Sequence, residues 1–180
     1  MVQNIWKDGV FGLIVGDALG VPVEFSSREE CEHNPVIGMR AYGTHNQPAG
    51  TWSDDSSMTL ATLDSIKQKG KIDYKDLMDK FTEWCLYADY TPFQEVFDIG
   101  VATSRAIIQY GKGTDPIDCG GKTEWDNGNG SLMRILPVCL YLYNRQKMIC
   151  TSENESIYLI HNVSALTHAH LRSQIACGIY

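Results

Sequence analysis

The sequence predicts a mostly helical protein that forms a single domain, residues 1–180. Residues 73–88 carry its clearest amphipathic pattern, with apolar side chains at helical spacing. We interpret this stripe as core; it comprises Tyr74, Leu77, Met78, Phe81, Trp84 and Cys85. No segment shows the alternation that is typical of a strand. A length of 180 residues and a hydrophobic content of 43% suit one domain with an ordinary core.

The remaining helices are predicted from apolar periodicity and from glycine and proline residues, which commonly mark helix ends. Predicted helices cover 5–19, 54–69, 73–88, 97–110, 131–143, 155–166 and 171–180. Pro137 is expected to kink the fifth of these. Residues 26–50 are rich in glycine and proline, so we expect a long loop there, and long ordered loops are commonly functional.

The first predicted helix combines a glycine repeat with one acid. Gly12, Gly16 and Gly20 recur every four residues, which predicts close packing against another helix. Asp17 interrupts the apolar segment. It is either a hydrogen-bonded or capping carboxylate of the core, or a group that faces a polar cavity.

Composition and charge exclude several classes of protein. A net charge of −7 argues against holding nucleic acid through its phosphates, although a local pocket could still bind a small anion. The 6 cysteines are irregularly spaced and lack a Cys-x-x-Cys pair, which indicates reduced thiols in a cytoplasm. The apolar run Val10–Val15 is too short for a signal peptide or a membrane span. We therefore expect a cytoplasmic protein that binds no membrane.

Ser53, Asp54 and Asp55 place a hydroxyl and two carboxylates directly before a helical pattern. Hard cations such as Mg²⁺ and Mn²⁺ prefer such oxygen ligands. The same residues also suit a helix start, because serine is a good N-cap and acids favour the positive end of the helix dipole. Local evidence alone favours capping.

Two further acids have equally open interpretations. Glu24 lies between apolar neighbours after Pro22, and could be either a surface residue or a site residue. Asp98 is an ordinary N-cap on local evidence. Its functional alternative is a carboxylate aimed at a cation, including a guanidinium, which it could bind in bidentate fashion.

Residues 126–134 contain a glycine-rich start to a helix, with Gly128, Asn129, Gly130 and Ser131 in succession. Free backbone N–H groups at such a start can bind a phosphate or diphosphate. The alternative is a plain loop with a serine cap; the stretch is neither a Walker A loop nor a dinucleotide fingerprint. His168 and His170 do not share a helical face, so a shared metal is not expected. A histidine at a helix junction is either structural or a donor to a ligand.

Taken together, these stretches resemble the ADP-ribosylglycohydrolase family. The resemblance depends on five blocks in the family's order, which cover nearly the whole chain. They are Gly12-x-x-x-Gly16-Asp17-Ala18-x-Gly20-x-Pro22-x-Glu24, Trp52-Ser53-Asp54-Asp55-Ser56-x-Met58, Phe97-Asp98-Ile99-Gly100, Gly128-Asn129-Gly130-Ser131-Leu132-Met133-Arg134-x-x-Pro137 and Leu166-Thr167-His168-x-His170.

This resemblance implies a compact all-α bundle that hydrolyses the N-glycosidic bond between ADP-ribose and a side chain, commonly arginine. It implies a binuclear Mg²⁺ or Mn²⁺ centre with Ser53, Asp54 and Asp55 as ligands, where relatives usually carry threonine at position 53. Glu24, Asp55 and Asp98 would be catalytic, with Asp98 against the guanidinium. The implied nucleotide cradle consists of Gly128, Asn129, Gly130, Ser131 and His168.

One departure concerns the end of the sequence. The family closes with an Asp-x-Asp block that supplies further metal ligands, and this sequence reaches Tyr180 without one. We therefore expect the C-terminal helices and the second metal site to be missing, unless self-association or a complementing C-terminal fragment supplies them. Two alternatives stay open: a non-catalytic ADP-ribose-binding or structural remnant, and an unrelated Mg²⁺-dependent phosphoryl-transfer enzyme.

Overall fold

A computed structural model describes residues 4–148 and 153–180, and within these ranges all regular structure is helical. The α-helices are α1 (Ile5–Gly20), α2 (Arg28–His33), α3 (Asp54–Lys69), α4 (Tyr74–Tyr87), α5 (Val101–Gly111), α6 (Leu136–Met148), α7 (Glu153–Ala165) and α8 (Leu171–Ile179). Single 3₁₀ turns occupy Val21–Val23, Pro116–Asp118, Glu124–Asp126 and Leu132–Arg134. An isolated bridge joins Gly121 to His168. The all-α prediction is confirmed.

Helix α3 lies at the centre and packs against α1, α4, α6 and the turn Leu132–Arg134. Its buried face mixes apolar side chains with short hydroxyl side chains; it includes Met58, Ala61, Ile66, Ser56, Ser57, Thr59, Thr62 and Ser65. Thr62 donates to the carbonyl of Met58, and Thr59 donates across to the carbonyl of Met133, both at 2.8 Å. The hydroxyls of Ser57, Thr59 and Thr62 can be buried here because backbone acceptors satisfy them, whereas the buried Ser65 Oγ has no hydrogen-bond partner among the described residues.

The amphipathic stripe of α4 forms the core as predicted. Leu77, Met78, Phe81 and Trp84 are fully buried, while Tyr74 and Cys85 pack against the core from its edge. The N-cap of the helix is Asp73, whose side chain accepts a hydrogen bond from the N–H of Asp76. Full burial of such side chains contributes roughly 1.5–3 kcal/mol each, so this helix is a main source of stability.

Two predicted boundaries are wrong. The predicted loop 26–50 contains α2, which begins with a capping box between Ser27 and Glu30. Helix α5 begins at Val101 and is capped by Gly100 rather than by Asp98. Asp98 has a left-handed backbone with φ of 57°, which places it outside the helix.

The predicted proline kink is also wrong. A 3₁₀ turn ends at Arg134, and α6 starts afresh at Leu136. Pro137 therefore lies in the first turn of α6, where its missing N–H has no intrahelical partner to lose.

The glycine repeat of α1 does not pack against another helix. A Cβ added to Gly12, Gly16 or Gly20 would meet no atom within 4 Å. Gly9, in contrast, lies against Leu136 and would have its Cβ 3.6 Å from that side chain. The prediction of close packing fails because this face of α1 opens onto a cavity.

The described cysteines are free thiols, in agreement with the prediction; they are Cys31, Cys85, Cys119, Cys139 and Cys177. Cys150 lies outside the described residues. In the described ranges, no helix combines the length and the apolar character that crossing a bilayer requires.

Candidate active site

A cavity of about 540 Å³ lies between α1 and the start of α3. Four acids line it, Asp17, Glu24, Asp55 and Asp98, together with the hydroxyl-bearing Ser53. The glycine face of α1 forms another wall. None of the described lining residues is a lysine or an arginine. The fold thus brings acids from three separate segments to one place.

Asp17 caps the first turn of α3 and also lines the cavity. Its carboxylate accepts hydrogen bonds from the backbone N–H of Ser53 at 3.0 Å and of Ser56 at 3.0 Å. Both serine hydroxyls donate to it as well, at 2.8 and 2.5 Å. A carboxylate is favourable at the positive end of a helix. Asp17 is therefore both a capping carboxylate and a group that faces a polar cavity.

Ser53 is the N-cap of α3, as local evidence suggested. Its Oγ accepts from the N–H of Asp55 at 3.2 Å and donates to Asp17. This pattern uses one of the two lone pairs of the hydroxyl oxygen and leaves the other for a further partner. Capping and ligand binding are thus compatible at this residue.

Asp54 and Asp55 are held in an environment that disfavours their charge. Asp54 is buried, with 8% of its surface exposed. Desolvation, and then the charges of Asp55, Asp98 and Asp17, raise its pKa to about 8. The pKa of Asp55 is raised to about 6 by desolvation and by Asp17, Glu24 and Asp98. The neighbouring charges that raise these two pKa values are all carboxylates, so a bound cation would stabilise the charged form of both acids.

Glu24 and Asp98 meet at the far side of the cavity, and His45 joins them. The carboxylate oxygens and one imidazole nitrogen of these three residues lie within 4.8 Å of one another. Desolvation and the nearby Glu24 raise the pKa of Asp98. His45 Nε2 lies 2.5 Å from Glu24 Oε2. Sequence reasoning missed His45, because a histidine within a long loop has no spacing that relates it to a distant acid.

The glycine-rich loop, residues 128–131, lies next to these acids. A second cavity of about 260 Å³ is lined by Asn129 and Gly130 of the loop, and also by Leu13 and Asp55. Leu13 and Asp55 line the acidic cavity too. The two cavities therefore adjoin along a common wall.

The side chains of Ser131 and His168 support this loop from within the protein. Ser131 is 1% exposed, and its Oγ accepts a hydrogen bond from Ser164 at 2.9 Å. The His168 ring packs so closely beneath the loop that a Cβ on Gly130 would lie 3.0 Å from its Cε1. Burial, and then the charge of Arg134, lower the pKa of His168 to about 4, so its imidazole is neutral.

Arg134 anchors the loop from below, and sequence reasoning gave it no role in the site. Its guanidinium is fully buried and donates to the carbonyls of Gly130 and Val163 and to Thr167 Oγ1. It also lies over the ring of Phe81, 5.1 Å from the ring centroid. A buried guanidinium costs much desolvation, so these acceptors are needed to hold it. The positive charge lies directly behind the glycine-rich loop.

We expect the free energy of unfolding to depend on pH through Asp54. Its pKa is higher in the folded protein than the ordinary value, so between about pH 4 and 8 the folded state binds more protons than the unfolded state. Stability should therefore fall as pH rises through this window. In metal-free buffer, Asp54→Asn should reduce that loss by more than about 1 kcal/mol between pH 5 and 8.

Urea unfolding at several pH values measures this difference. The exposed Asp89 provides the control, since Asp89→Asn should leave the pH dependence of wild type unchanged. Parallel curves for wild type and Asp54→Asn would contradict the assigned environment of Asp54.

The helices and the acid-lined cavity define an all-α protein with a site built from loop and helix-start carboxylates. A solved structure described as an ADP-ribosylglycohydrolase-related protein complex has the same fold, with a TM-score of 0.71 and 32% identity. The match covers 94% of this chain and 51% of that one. The model of the ADP-ribosylglycohydrolase family matches residues 4–180. The chain therefore belongs to the ADP-ribosylglycohydrolase family, and the resemblance seen in the sequence is confirmed.

Curated relatives agree with this assignment. The chain is 30% identical over 165 residues to "ADP-ribosylarginine hydrolase Tri1" of Pseudomonas putida (strain GB-1), covering 90% of this chain and 41% of the relative. It is 33% identical over 141 residues to "ADP-ribosyl-[dinitrogen reductase] glycohydrolase" of Rhodospirillum rubrum, covering 72% and 42%. The chain thus spans less than half the length of these two relatives.

Proposed function

We propose that this chain contributes the active site of a metal-dependent hydrolase that cleaves the N-glycosidic bond between ADP-ribose and an arginine side chain. The observation that carries the proposal is the convergence of Glu24, Asp55 and Asp98 on one cavity, in a chain of this family. The relative from Pseudomonas putida is named for ADP-ribosylarginine, which supports arginine as the acceptor.

The adjoining cavities suit an elongated ligand with a sugar at one end and phosphates beside it. We place the ribose at the acids and the diphosphate at the loop 128–131, with Asp55 at the boundary. The carbonyls of Gly128 and Gly130 accept hydrogen bonds from Ser173 and Arg134, respectively. An anion at the loop would then meet backbone N–H groups with a buried positive charge behind them.

The donor set at the start of α3 fits a hard divalent cation. Ser53, Asp54 and Asp55 offer oxygen atoms, and desolvation and neighbouring carboxylates raise the pKa values of both acids, so a cation there would stabilise their charged forms. Mg²⁺ or Mn²⁺ would be held by these three residues. Such an ion, when bound, lowers the pKa of coordinated water and so makes it a better nucleophile at neutral pH.

The remaining acids act on the substrate itself. Bond cleavage at the anomeric carbon develops oxocarbenium character, which the negative charges of Glu24 and Asp55 stabilise. Asp98 would accept hydrogen bonds from the guanidinium in bidentate geometry and orient the acceptor arginine. The neutral His168 keeps its position beneath the loop and adds no charge there.

The test is release of ADP-ribose from ADP-ribosylated agmatine by the purified chain, followed by liquid chromatography with and without Mg²⁺ or Mn²⁺. We expect metal-dependent release of intact ADP-ribose and no release of phosphate. Phosphate release would instead support phosphoryl transfer. Calorimetry that detects ADP-ribose binding in a chain without turnover or metal binding would support the non-catalytic alternative.

A further inference from the structure

We propose that His45 is a positioning residue for Glu24, whose carboxylate it fixes at the wall of the acidic cavity. The catalytic part of this inference rests on the function proposed above. The geometric part rests on contacts that three segments make around Glu24: the returning end of the loop 26–50, the residue that follows Glu24, and the segment before α5.

The returning loop is built against the backbone on either side of Glu24. Thr44 donates its N–H to the carbonyl of Pro22 at 3.1 Å and its hydroxyl to the carbonyl of Glu24 at 2.6 Å. Gly43 lies so close that an added Cβ would be 1.9 Å from the carbonyl oxygen of Pro22. Only glycine fits at such an approach. These contacts deliver the next residue, His45, to the Glu24 side chain.

Aromatic rings flank the His45 imidazole. The Phe97 ring centroid lies 5.2 Å from it and the Phe25 ring centroid 6.1 Å, both in tilted arrangements. The side chain of His45 is 14% exposed. The ring is therefore held in place, and its Nε2 contacts Glu24 Oε2 at 2.5 Å. A hydrogen bond from a ring N–H to an ionised carboxylate is stronger than one between neutral groups.

Phe25 adopts an unusual backbone conformation that serves this arrangement. Its φ is 62°, in the left-handed region that a bulky residue normally avoids. Burial does not compensate for the strain, because the residue is 81% exposed. What the conformation achieves is the ring contact with His45. Strain of this kind is concentrated at functional sites, where surrounding structure holds it.

The position of Asp98 explains why Glu24 needs such a partner. The carboxylates of Glu24 and Asp98 lie close together, and like charges repel. Without a donor, the flexible Glu24 side chain could turn away from the cavity. The hydrogen bond from His45 fixes one oxygen of Glu24 and thereby sets the direction of the other. His45 touches no substrate group in this account and acts through Glu24.

The test compares His45→Phe with His45→Gln. Phenylalanine keeps a ring between Phe25 and Phe97 but removes the donor, whereas glutamine keeps an N–H donor and loses the ring. With ADP-ribosylated agmatine we expect His45→Phe to lower kcat by about 10- to 100-fold, the range typical when a residue that orients another side chain is removed. KM should stay within about threefold of the wild-type value. His45→Gln should recover at least part of the lost kcat.

His33 provides a control, since it is an exposed histidine at the end of α2, within the same segment 26–50. His33→Phe should leave kcat unchanged, and thermal unfolding midpoints should show that all variants fold. A wild-type kcat in His45→Phe overturns the proposal. So does a glutamine variant no faster than the phenylalanine variant, or a loss that falls on KM rather than kcat.

A second measurement does not depend on turnover. In long-range ¹H–¹⁵N spectra, Glu24→Gln should shift the Nε2 resonance of His45 and leave that of His33 in place. An unshifted His45 overturns the proposal even if the wild-type chain proves inactive. If the wild-type chain is inactive but the His45 resonance shifts in Glu24→Gln, the result counts against the proposed function and not against the contact between His45 and Glu24.

Discussion

Asp55→Asn should lower the turnover of ADP-ribosylated agmatine by at least about a hundredfold, and Asp54→Asn should do the same. Both changes preserve size and the start of α3, because Ser53 caps the helix through the backbone N–H of Asp55. What they remove is a carboxylate where the proposed cation and the developing positive charge of the sugar would lie. A bound cation would favour the charged form of Asp54, whose pKa is otherwise raised to about 8.

Initial rates at saturating Mn²⁺, with calorimetry for metal affinity, measure this effect. Asp8 is the matched control, since it is an exposed acid in the first turn of α1. Asp8→Asn should leave both quantities unchanged. If Asp54→Asn and Asp55→Asn each retained full turnover, the assignment of these residues to a metal would be wrong.

Gly120→Ala should destabilise the protein by roughly 3 kcal/mol or more, since overpacking against backbone cannot be relieved by a rotamer change. The added Cβ would lie 2.3 Å from the carbonyl oxygen of Ala165 and 2.8 Å from the backbone nitrogen of His168. It would therefore separate Gly120 and Gly121 from the α7–α8 junction, where Gly120 N–H donates to Ala165. That junction carries the ring that supports the glycine-rich loop.

Thermal unfolding checks this expectation, with a fall in Tm of roughly 6–12 °C for a chain of this size. Gly111→Ala is the control: Gly111 ends α5, and a Cβ there would meet no atom within 4 Å. Its Tm should stay the same or rise slightly, because alanine favours the helical state. Equal Tm values for the two variants would contradict the close approach at Gly120.

Local pattern was sufficient to predict the helices that carry the core. The apolar stripe of α4 follows from residues spaced three or four apart, and the starts of α3 and α4 follow from the N-caps Ser53 and Asp73. Both kinds of signal are visible in the sequence. The start of α5 was missed because a left-handed Asp98 separates the apolar pattern from the helix. Nothing in the types of neighbouring residues marks that conformation.

Local pattern alone could place site residues together only where they are close in sequence. Ser53 and Asp55 both lie at the start of α3 and line the acidic cavity, whereas Asp54 between them does not line it. The contact between Glu24 and His45 joins residues 21 positions apart through a loop whose path depends on Gly43 and Thr44. The burial of Ser131 and His168 likewise depends on packing by α7 and α8, which no local pattern reveals.

The glycines of α1 give the acidic cavity a stretch of wall made of main chain, beside the side chains of Leu13 and Asp17. Side-chain rotations adjust most binding pockets, but a main-chain stretch can move only when the helix itself shifts. Because α1 packs against α3 and α6, these two helices fix the position of α1 and thereby the width of the cavity. The width of the site therefore depends on how α1 packs against its neighbouring helices, and residues of α1 that lie outside the cavity can change it.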